Sequence, residues 1–137
     1  MSKTPISAKD EKKEKDIALE FFKFVTAGKP KEARHLFAPK CVHHNPFTPE
    51  GMDALLDSMA KVQQSSQMAR SDTQFLIKHV LTDGNLVAVH TILESKSDAT
   101  KGLRQIHLFR FRGDKIIEYW DVTQVAPANA PYIQRMY

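Results

Sequence analysis

The first half of the chain carries apolar residues at the spacing of an amphipathic helix. From about residue 8 to residue 27, charged side chains flank an apolar stripe, and Gly28 follows where a helix C-terminus favours glycine. The stripe consists of Ile17, Phe21, Phe24 and Val25. This pattern predicts a first helix that ends just before Gly28.

Prolines delimit the next elements. Pro30 suits the first turn of a short second helix through KEARHLF, which Pro39 ends. CVHHN, residues 41–45, is typical of a short extended segment. Apolar positions then return at helical spacing as far as about Gln67, which predicts a third helix. They are Met52, Leu55, Leu56, Met59 and Val62.

The second half of the chain has the pattern of β-strands. Its β-branched and aromatic runs are TQFLIKHVLT, NLVAVHTILES, LRQIHLFRFR and KIIEYWDVTQV. DGN, KSDATKG and GD separate them and act as turn signals. Helices followed by an antiparallel meander indicate an α+β fold, with three N-terminal helices packed on one face of a curved, mostly antiparallel sheet.

Composition and charge exclude several classes of protein. A chain of 137 residues with 42% hydrophobic and 26% charged residues fits one globular domain. It has no apolar run of the roughly 18 to 20 residues that cross a membrane and no apolar leader, so we expect a cytoplasmic protein. The net charge is +4, but the run KDEKKEKD balances four lysines with four acids, which predicts a solvated helix face and no nucleic-acid partner.

Motifs for metal and nucleophile chemistry are missing from the sequence. The six histidines form no H-E-x-x-H pattern, and the single cysteine, Cys41, excludes a multi-cysteine zinc site. The sequence also lacks G-x-S-x-G. We therefore expect no metal.

HHNP before a helix, LVAVH in a middle strand and HLFRFRGDKIIEYWDVTQ near the end together resemble the SnoaL-like polyketide cyclase family of the nuclear transport factor 2-like superfamily. The resemblance implies one domain over residues 1–137, a conical α+β barrel and an internal apolar pocket. It also implies cofactor-independent proton transfer, such as intramolecular aldol condensation, on a small hydrophobic carbonyl compound, and a homodimer.

Asp121 is the strongest chemical candidate, because an acid in the strand EYWDVTQ must be hydrogen-bonded, paired or raised in pKa. The resemblance implies that the aspartate after this tryptophan is the general acid/base. The alternative is a structural carboxylate bound to a backbone amide or to an arginine such as Arg110.

The histidines before the third helix are further candidates. The family pattern of one histidine followed by Asn-Pro corresponds to His44 and Asn45, with His43 as an addition. Strand alternation places the two histidines on opposite faces, and we predict His44 inward and His43 outward. For Asn45 the simpler interpretation is a hydrogen bond to backbone at a turn.

His90 and His107 lie in the predicted sheet. His90 shares a face with Leu86, Ala88 and Ile92, where it could polarise an enolate or be a core histidine satisfied by a carbonyl. His107 stands where the family often has aspartate, and it could divide the acid and base roles with Asp121. A plain two-residue turn at GD would put His107 and Asp121 on opposite faces, whereas a bulge or a longer turn would bring them together.

Two classes of function remain. The first is a cyclase or isomerase with Asp121 as acid/base and with His44, His90 and His107 as further catalytic residues; the residues predicted to contact the ligand are Asn45, Phe47, Phe109, Tyr119 and Trp120. The second is a non-catalytic ligand-binding or dimerisation module on the same fold.

An apolar outer sheet face predicts a symmetric homodimer, with the C-terminal tail near its interface or over the pocket mouth. The residues assigned to this face are Val87, Val89, Leu93 and, less directly, Trp120 or Val122.

Overall fold

A computed structural model describes residues 7–65, 73–95 and 100–137, without the side chains of residues 64, 65, 100 and 101. The predicted helix end near Gln67 and residues 96–99 of the predicted loop lie outside these ranges. The elements in chain order are α1 (Ala8–Thr26), a 3₁₀ helix (Pro30–Leu36), β1 (Phe37–His43), α2 (Met52–Ser65), β2 (Thr73–Asp83), β3 (Leu86–Ser95), β4 (Thr100–Arg112), β5 (Lys115–Pro127) and a C-terminal 3₁₀ helix (Ile133–Met136).

The caps of α1 explain its limits. The Ser7 side chain accepts a hydrogen bond from the backbone N–H of Asp10 at 3.1 Å, which satisfies one donor of the first turn. At the other end Gly28 has a φ of +76° and donates its N–H to the carbonyl of Val25. The helix buries Phe21 and Phe22 against the sheet. The predicted three-helix arrangement is confirmed, with the short second helix in 3₁₀ form.

The five strands form one sheet in the order β1-β5-β4-β3-β2. β2 to β5 are the predicted antiparallel meander, and β1 adds to its edge parallel to β5. The turns between β2 and β3 and between β4 and β5 begin with Gly84 and Gly113, whose φ angles of +61° and +60° fit the first central position of a type II′ turn. The curved, mostly antiparallel α+β fold is therefore as predicted.

A β-bulge sets the register of β5 against β4. Arg112 pairs with Lys115 across the two-residue turn, but Arg110 pairs with Glu118, so Ile117 is an extra residue in β5. His107 consequently lies directly opposite Asp121. The bulge thus resolves the register that the sequence left open, and both side chains are on one face.

The sheet has an inner face, which packs on α1 and α2, and an outer face. Val87 and Val89 belong to the buried core together with Phe21 of α1, so they lie on the inner face. Their predicted place on the outer face is wrong, and so is that of Leu93, which lines an internal cavity. The two alternating sets of residues along β3 were predicted correctly, but the inner and outer faces were exchanged.

The outer face carries Trp120, the exposed Val122 and the C-terminal tail. Arg104 donates its Nε–H to the carbonyl of Met136 at 3.0 Å, and its guanidinium lies 4.6 Å from the centre of the Tyr137 ring. The tail therefore packs on the outer face, away from the cavity. None of the helices in the described part of the chain is both long and apolar enough to cross a membrane.

Candidate functional site

A cavity of about 620 Å³ lies between the inner face, the end of α1 and α2. Its walls are mostly apolar, with contributions from Phe22, Met59 and Leu93. Its polar groups come mainly from β4, β5 and the loop after β1, and they include Gln105, His107, Tyr119, Asp121, Asn45 and Thr48. An apolar pocket with a few convergent polar groups is the usual form of a small-molecule site.

His107 is held from both sides of its ring. It is 4% exposed; its Nε2 lies 3.0 Å from Thr91 Oγ1, and its Nδ1 lies 2.6 Å from Tyr119 Oη. The edge contact with Phe22, at 4.8 Å between ring centres, fixes the ring further. Burial lowers the pKa of His107 to about 3, so the imidazole is uncharged at neutral pH.

Tyr119 is packed among aromatic rings at the base of the cavity. Its ring contacts Phe21 and Phe109, and it is 3% exposed. Burial, with a smaller contribution from the negative charge of Asp121, raises the pKa of Tyr119 well above its usual value. Tyr119 is therefore a neutral phenol that can donate one hydrogen bond.

Asp121 is half-buried on the cavity wall, opposite His107 and two residues after Tyr119. Among the side chains of residues 7–63, 73–95 and 102–137, none donates a hydrogen bond to its carboxylate. Arg110, the suggested structural partner, lies on the outer face and donates to Glu118 at 3.2 Å. Within those ranges, the Asp121 carboxylate is thus directed to the cavity without a charged partner.

Asn45 has two structural roles, one in a turn and one in the cavity wall. Its Oδ1 accepts hydrogen bonds from the backbone N–H of Phe47 at 2.9 Å and from the Thr48 hydroxyl at 3.2 Å, so the predicted role at a turn is confirmed. The residue also lines the cavity. The turn holds the loop after β1 against the cavity wall.

The predicted orientation of His44 is wrong. His44 lies on the outer face, with Nε2 at 2.7 Å from Glu118 Oε2 and its ring stacked on Trp120 at 4.8 Å. His43 pairs with Tyr119 in the parallel register, and its Nε2 contacts the carbonyl of Pro49 at 2.8 Å. The parallel pairing of β1 with β5, which the sequence did not indicate, decides which histidine faces outward.

The other candidates on β3, β4, β5 and the loop also lie outside the cavity lining. His90 is on the outer face, where its Nδ1 lies 3.0 Å from Nδ1 of His79; burial and then the charges of His79 and Lys78 lower its pKa. Trp120 is on the same face, Phe47 is 93% exposed in the loop, and Phe109 is fully buried in the core below the cavity. Of the predicted residues, Asn45, His107, Tyr119 and Asp121 line the cavity.

Sequence reasoning did not select Thr91 or Gln105. Thr91 is fully buried on the inner face of β3, and Gln105 lines the cavity and donates to Thr123 Oγ1 at 3.0 Å. If the bulge in β5 had been known, strand alternation and pairing, counted from Asp121, would have placed both residues on the inner face. Within the described residues, no three His, Cys, Asp or Glu side chains are placed to hold a metal ion.

Comparisons with known proteins place the fold in the nuclear transport factor 2-like class. The SnoaL-like domain model matches residues 18–119, and the chain belongs to this family. No functionally curated protein matches the chain closely enough to be a relative.

Solved structures of similar fold share little sequence with this chain. AclR of Streptomyces galilaeus, a proposed hydroxylase, is 17% identical, with a TM-score of 0.66 over 92% of this chain and 96% of that one. A proposed ketosteroid isomerase from Kribbella flavida is 18% identical, with a TM-score of 0.65 over 93% and 90%. IdmH of Streptomyces antibioticus, a proposed polyketide cyclase, is 18% identical, with a TM-score of 0.64 over 81% and 91%.

Proposed function

We propose that the protein is a cofactor-independent enzyme of the cyclase or isomerase type that moves a proton on a small hydrophobic carbonyl compound. One observation carries the proposal: Asp121, whose carboxylate has no side-chain partner among the described residues, lines an apolar cavity beside a neutral phenol, Tyr119. A carboxylate next to an apolar site can take a proton from carbon, and a neutral donor can hold the oxygen that becomes negative.

The cavity fits such a substrate. Its volume of about 620 Å³ is in the range of small-molecule sites, and its apolar walls would bind a ring or chain with few polar groups. Asp121 removes a proton from the carbon beside the carbonyl, and the electron pair moves onto the oxygen to form an enolate. The enolate then attacks a second carbonyl or takes the proton back at another carbon, and Asp121 returns the proton.

His107 serves this chemistry by positioning. Both of its ring nitrogens have partners in Thr91 and Tyr119, and its low pKa keeps it uncharged. An uncharged imidazole with a low pKa and both nitrogens bonded is a poor general acid and a poor general base. The base role therefore belongs to Asp121 alone, and His107 orients Tyr119.

A non-catalytic binding module is the second candidate. This fold hosts many functions, and a cavity with apolar walls binds ligands whether or not it transforms them. The carboxylate facing the cavity favours the enzyme, because a purely apolar ligand would leave Asp121 desolvated without a partner.

Proton exchange tests the proposal without knowledge of the substrate. We expect the protein to accelerate deuterium incorporation next to the carbonyl of at least one member of a panel of cyclic ketones and β-diketones in D₂O, followed by ¹H NMR. Ligand binding is measured in the same samples from shifts of the cavity residues. Ketones that bind without faster exchange would support the binding module and contradict the enzyme.

A further inference from the structure

Thr91, His107 and Tyr119 form a chain of hydrogen bonds whose direction is not fixed by distances alone. Each hydroxyl can donate one hydrogen bond, and the neutral imidazole carries a single N–H. The chain can therefore run from Tyr119 to Thr91 or from Thr91 to Tyr119. The two directions require opposite tautomers of His107.

The first direction leaves a buried hydrogen without an acceptor. If Tyr119 donates to Nδ1 and Nε2–H donates to Thr91, the Thr91 hydroxyl must donate elsewhere. Thr91 is 0% exposed, and within residues 7–63, 73–95 and 102–137 its Oγ1 has His107 as its hydrogen-bonding partner. An unsatisfied buried donor costs about 1 to 3 kcal/mol.

The opposite direction leaves no hydrogen of Thr91 or His107 without an acceptor. Thr91 donates to Nε2, Nδ1–H donates to Tyr119 Oη, and the remaining hydrogen is that of the Tyr119 hydroxyl. Tyr119 lines the cavity, where a ligand oxygen or the Asp121 carboxylate can accept this hydrogen.

We propose that Thr91 is a positioning residue that fixes the Nδ1–H tautomer of His107 and thereby directs the Tyr119 hydroxyl as a donor to the oxygen of a bound ligand. Thr91 is not among the residues that line the cavity. It acts through His107, which stays neutral because it is buried. Hydrogen bonds in such a chain polarise one another, so the donor strength of Tyr119 depends on Thr91.

The catalytic consequence rests on the proposed function. The oxygen that Tyr119 holds is then the carbonyl oxygen of the substrate, which becomes negative when Asp121 removes the adjacent proton. Donors directed at a developing negative charge contribute strongly in a cavity from which water is excluded. The ligand class is therefore a carbonyl or phenol whose oxygen accepts, and a ligand that offers only donors does not fit.

The tautomer can be measured without any ligand. In ¹⁵N-histidine-labelled protein at neutral pH, the two ring nitrogens of His107 have distinct shifts, and the signals are assigned by their loss in His107→Gln. We expect Nδ1 to be protonated and Nε2 to be the bare acceptor. A protonated Nε2 in the wild-type protein would overturn the proposal, whether or not the protein is an enzyme.

Two substitutions test the role of Thr91. Thr91→Val keeps the shape but removes the donor, so we expect the Nε2–H tautomer to become populated and ketone proton exchange to slow about tenfold, the equivalent of one hydrogen bond. Thr91→Ser restores the hydroxyl and should keep both properties. An unchanged His107 tautomer in Thr91→Val would contradict the proposal. If Thr91→Val does not fold, the His107 tautomers of Thr91→Ser and of the wild-type protein still test it.

If no ketone exchanges, the tautomer experiment still decides the direction of the chain. The affinity for 2-naphthol, whose phenol oxygen can accept from Tyr119, then replaces exchange as the functional measurement. We expect the Kd for 2-naphthol to rise about tenfold in Thr91→Val and to be unchanged in Thr91→Ser. Equal affinity in the two variants would contradict the coupling between Thr91 and the cavity.

Discussion

Asp121 and Glu118 lie three positions apart on β5, yet they lie on opposite faces of the sheet and differ in their partners. Glu118 is on the outer face, where His44 and Arg110 both bind its carboxylate at 2.7 Å and 3.2 Å. Asp121 is on the inner face, and no side chain in the described ranges binds its carboxylate. The paired acid can hold β1 to the sheet, whereas the unpaired acid remains available to a ligand.

The histidines repeat this difference. His44 is exposed, and it contacts a carboxylate and the face of Trp120. His107 is buried, and its two partners are uncharged hydroxyls. The buried histidine of the inner face is thus uncharged between two hydroxyls, whereas the exposed histidine of the outer face contacts a carboxylate close to water.

Replacing each of the two acids by its amide should give the largest difference between the inner and the outer face. We expect Asp121→Asn to lower turnover about 10²-fold or more, because the amide cannot accept the proton, with the thermal midpoint little changed or raised. Glu118→Gln is the matched control and should leave turnover near wild type. A destabilised Asp121→Asn with retained turnover would show that the carboxylate is structural.

Removing one histidine from each face should give unequal losses of stability. His107→Leu deprives the buried hydroxyls of Thr91 and Tyr119 of their partner, so we expect the free energy of unfolding to fall by about 2 to 4 kcal/mol. His44→Leu removes an exposed side-chain contact with Glu118 and should cost about 1 kcal/mol or less. Urea denaturation measures both, and equal losses would contradict the distinction between the faces.

The pH dependence of stability should report His107. Its pKa is about 3 in the native protein against 6.5 for an unperturbed histidine, so only the unfolded state takes up this proton between those values. Above about pH 6.5 neither state binds this proton, and His107 does not lower the free energy of unfolding. Below that pH the free energy of unfolding falls by about 1.4 kcal/mol per pH unit as the pH decreases towards 3. His107→Gln should remove this contribution from urea titrations, and an unchanged slope would contradict it.

The outer face is also the expected site of self-association. Val122 is 67% exposed beside Trp120 on the sheet surface, and a second copy would cover both. We expect a homodimer by sedimentation and about tenfold weaker association for Val122→Lys, since burying the ammonium is unfavourable. Phe47→Ser removes an even more exposed apolar side chain from a loop and should have no effect. A wild-type monomer at micromolar concentration would contradict this expectation.

Local patterns were sufficient to predict the helices, the meander and the turn at Asn45. Each of these depends on residues close together in the sequence: the α1 stripe with Gly28, the glycine turns and the Asx turn. The resemblance also directed attention to Asp121, which lines the cavity. Its catalytic role stays a prediction.

The assignment of faces could not be predicted in the same way. His44 and His90 were placed inward, but strand periodicity gives two alternating sets and does not state which set is buried. The parallel pairing of β1 and the extra residue Ile117 are long-range and geometric facts. Thr91 was missed because its face was not known. Threonine is also common in strands, so its presence in β3 does not by itself indicate a buried residue that hydrogen-bonds to a histidine.

The bulge at Ile117 determines how this chain would respond to insertions and deletions in β5. Losing one residue from the bulge would leave the turn and the strand length nearly intact, but every later position of β5 would change sides, and Trp120 and Val122 would enter the interior in place of Tyr119 and Asp121. A deletion of one residue here therefore exchanges the inward and outward side chains over the rest of β5. An insertion in the exposed turn at Asp114 changes no alternation if it stays outside the ladder, so we expect this chain to tolerate it better than the loss of Ile117.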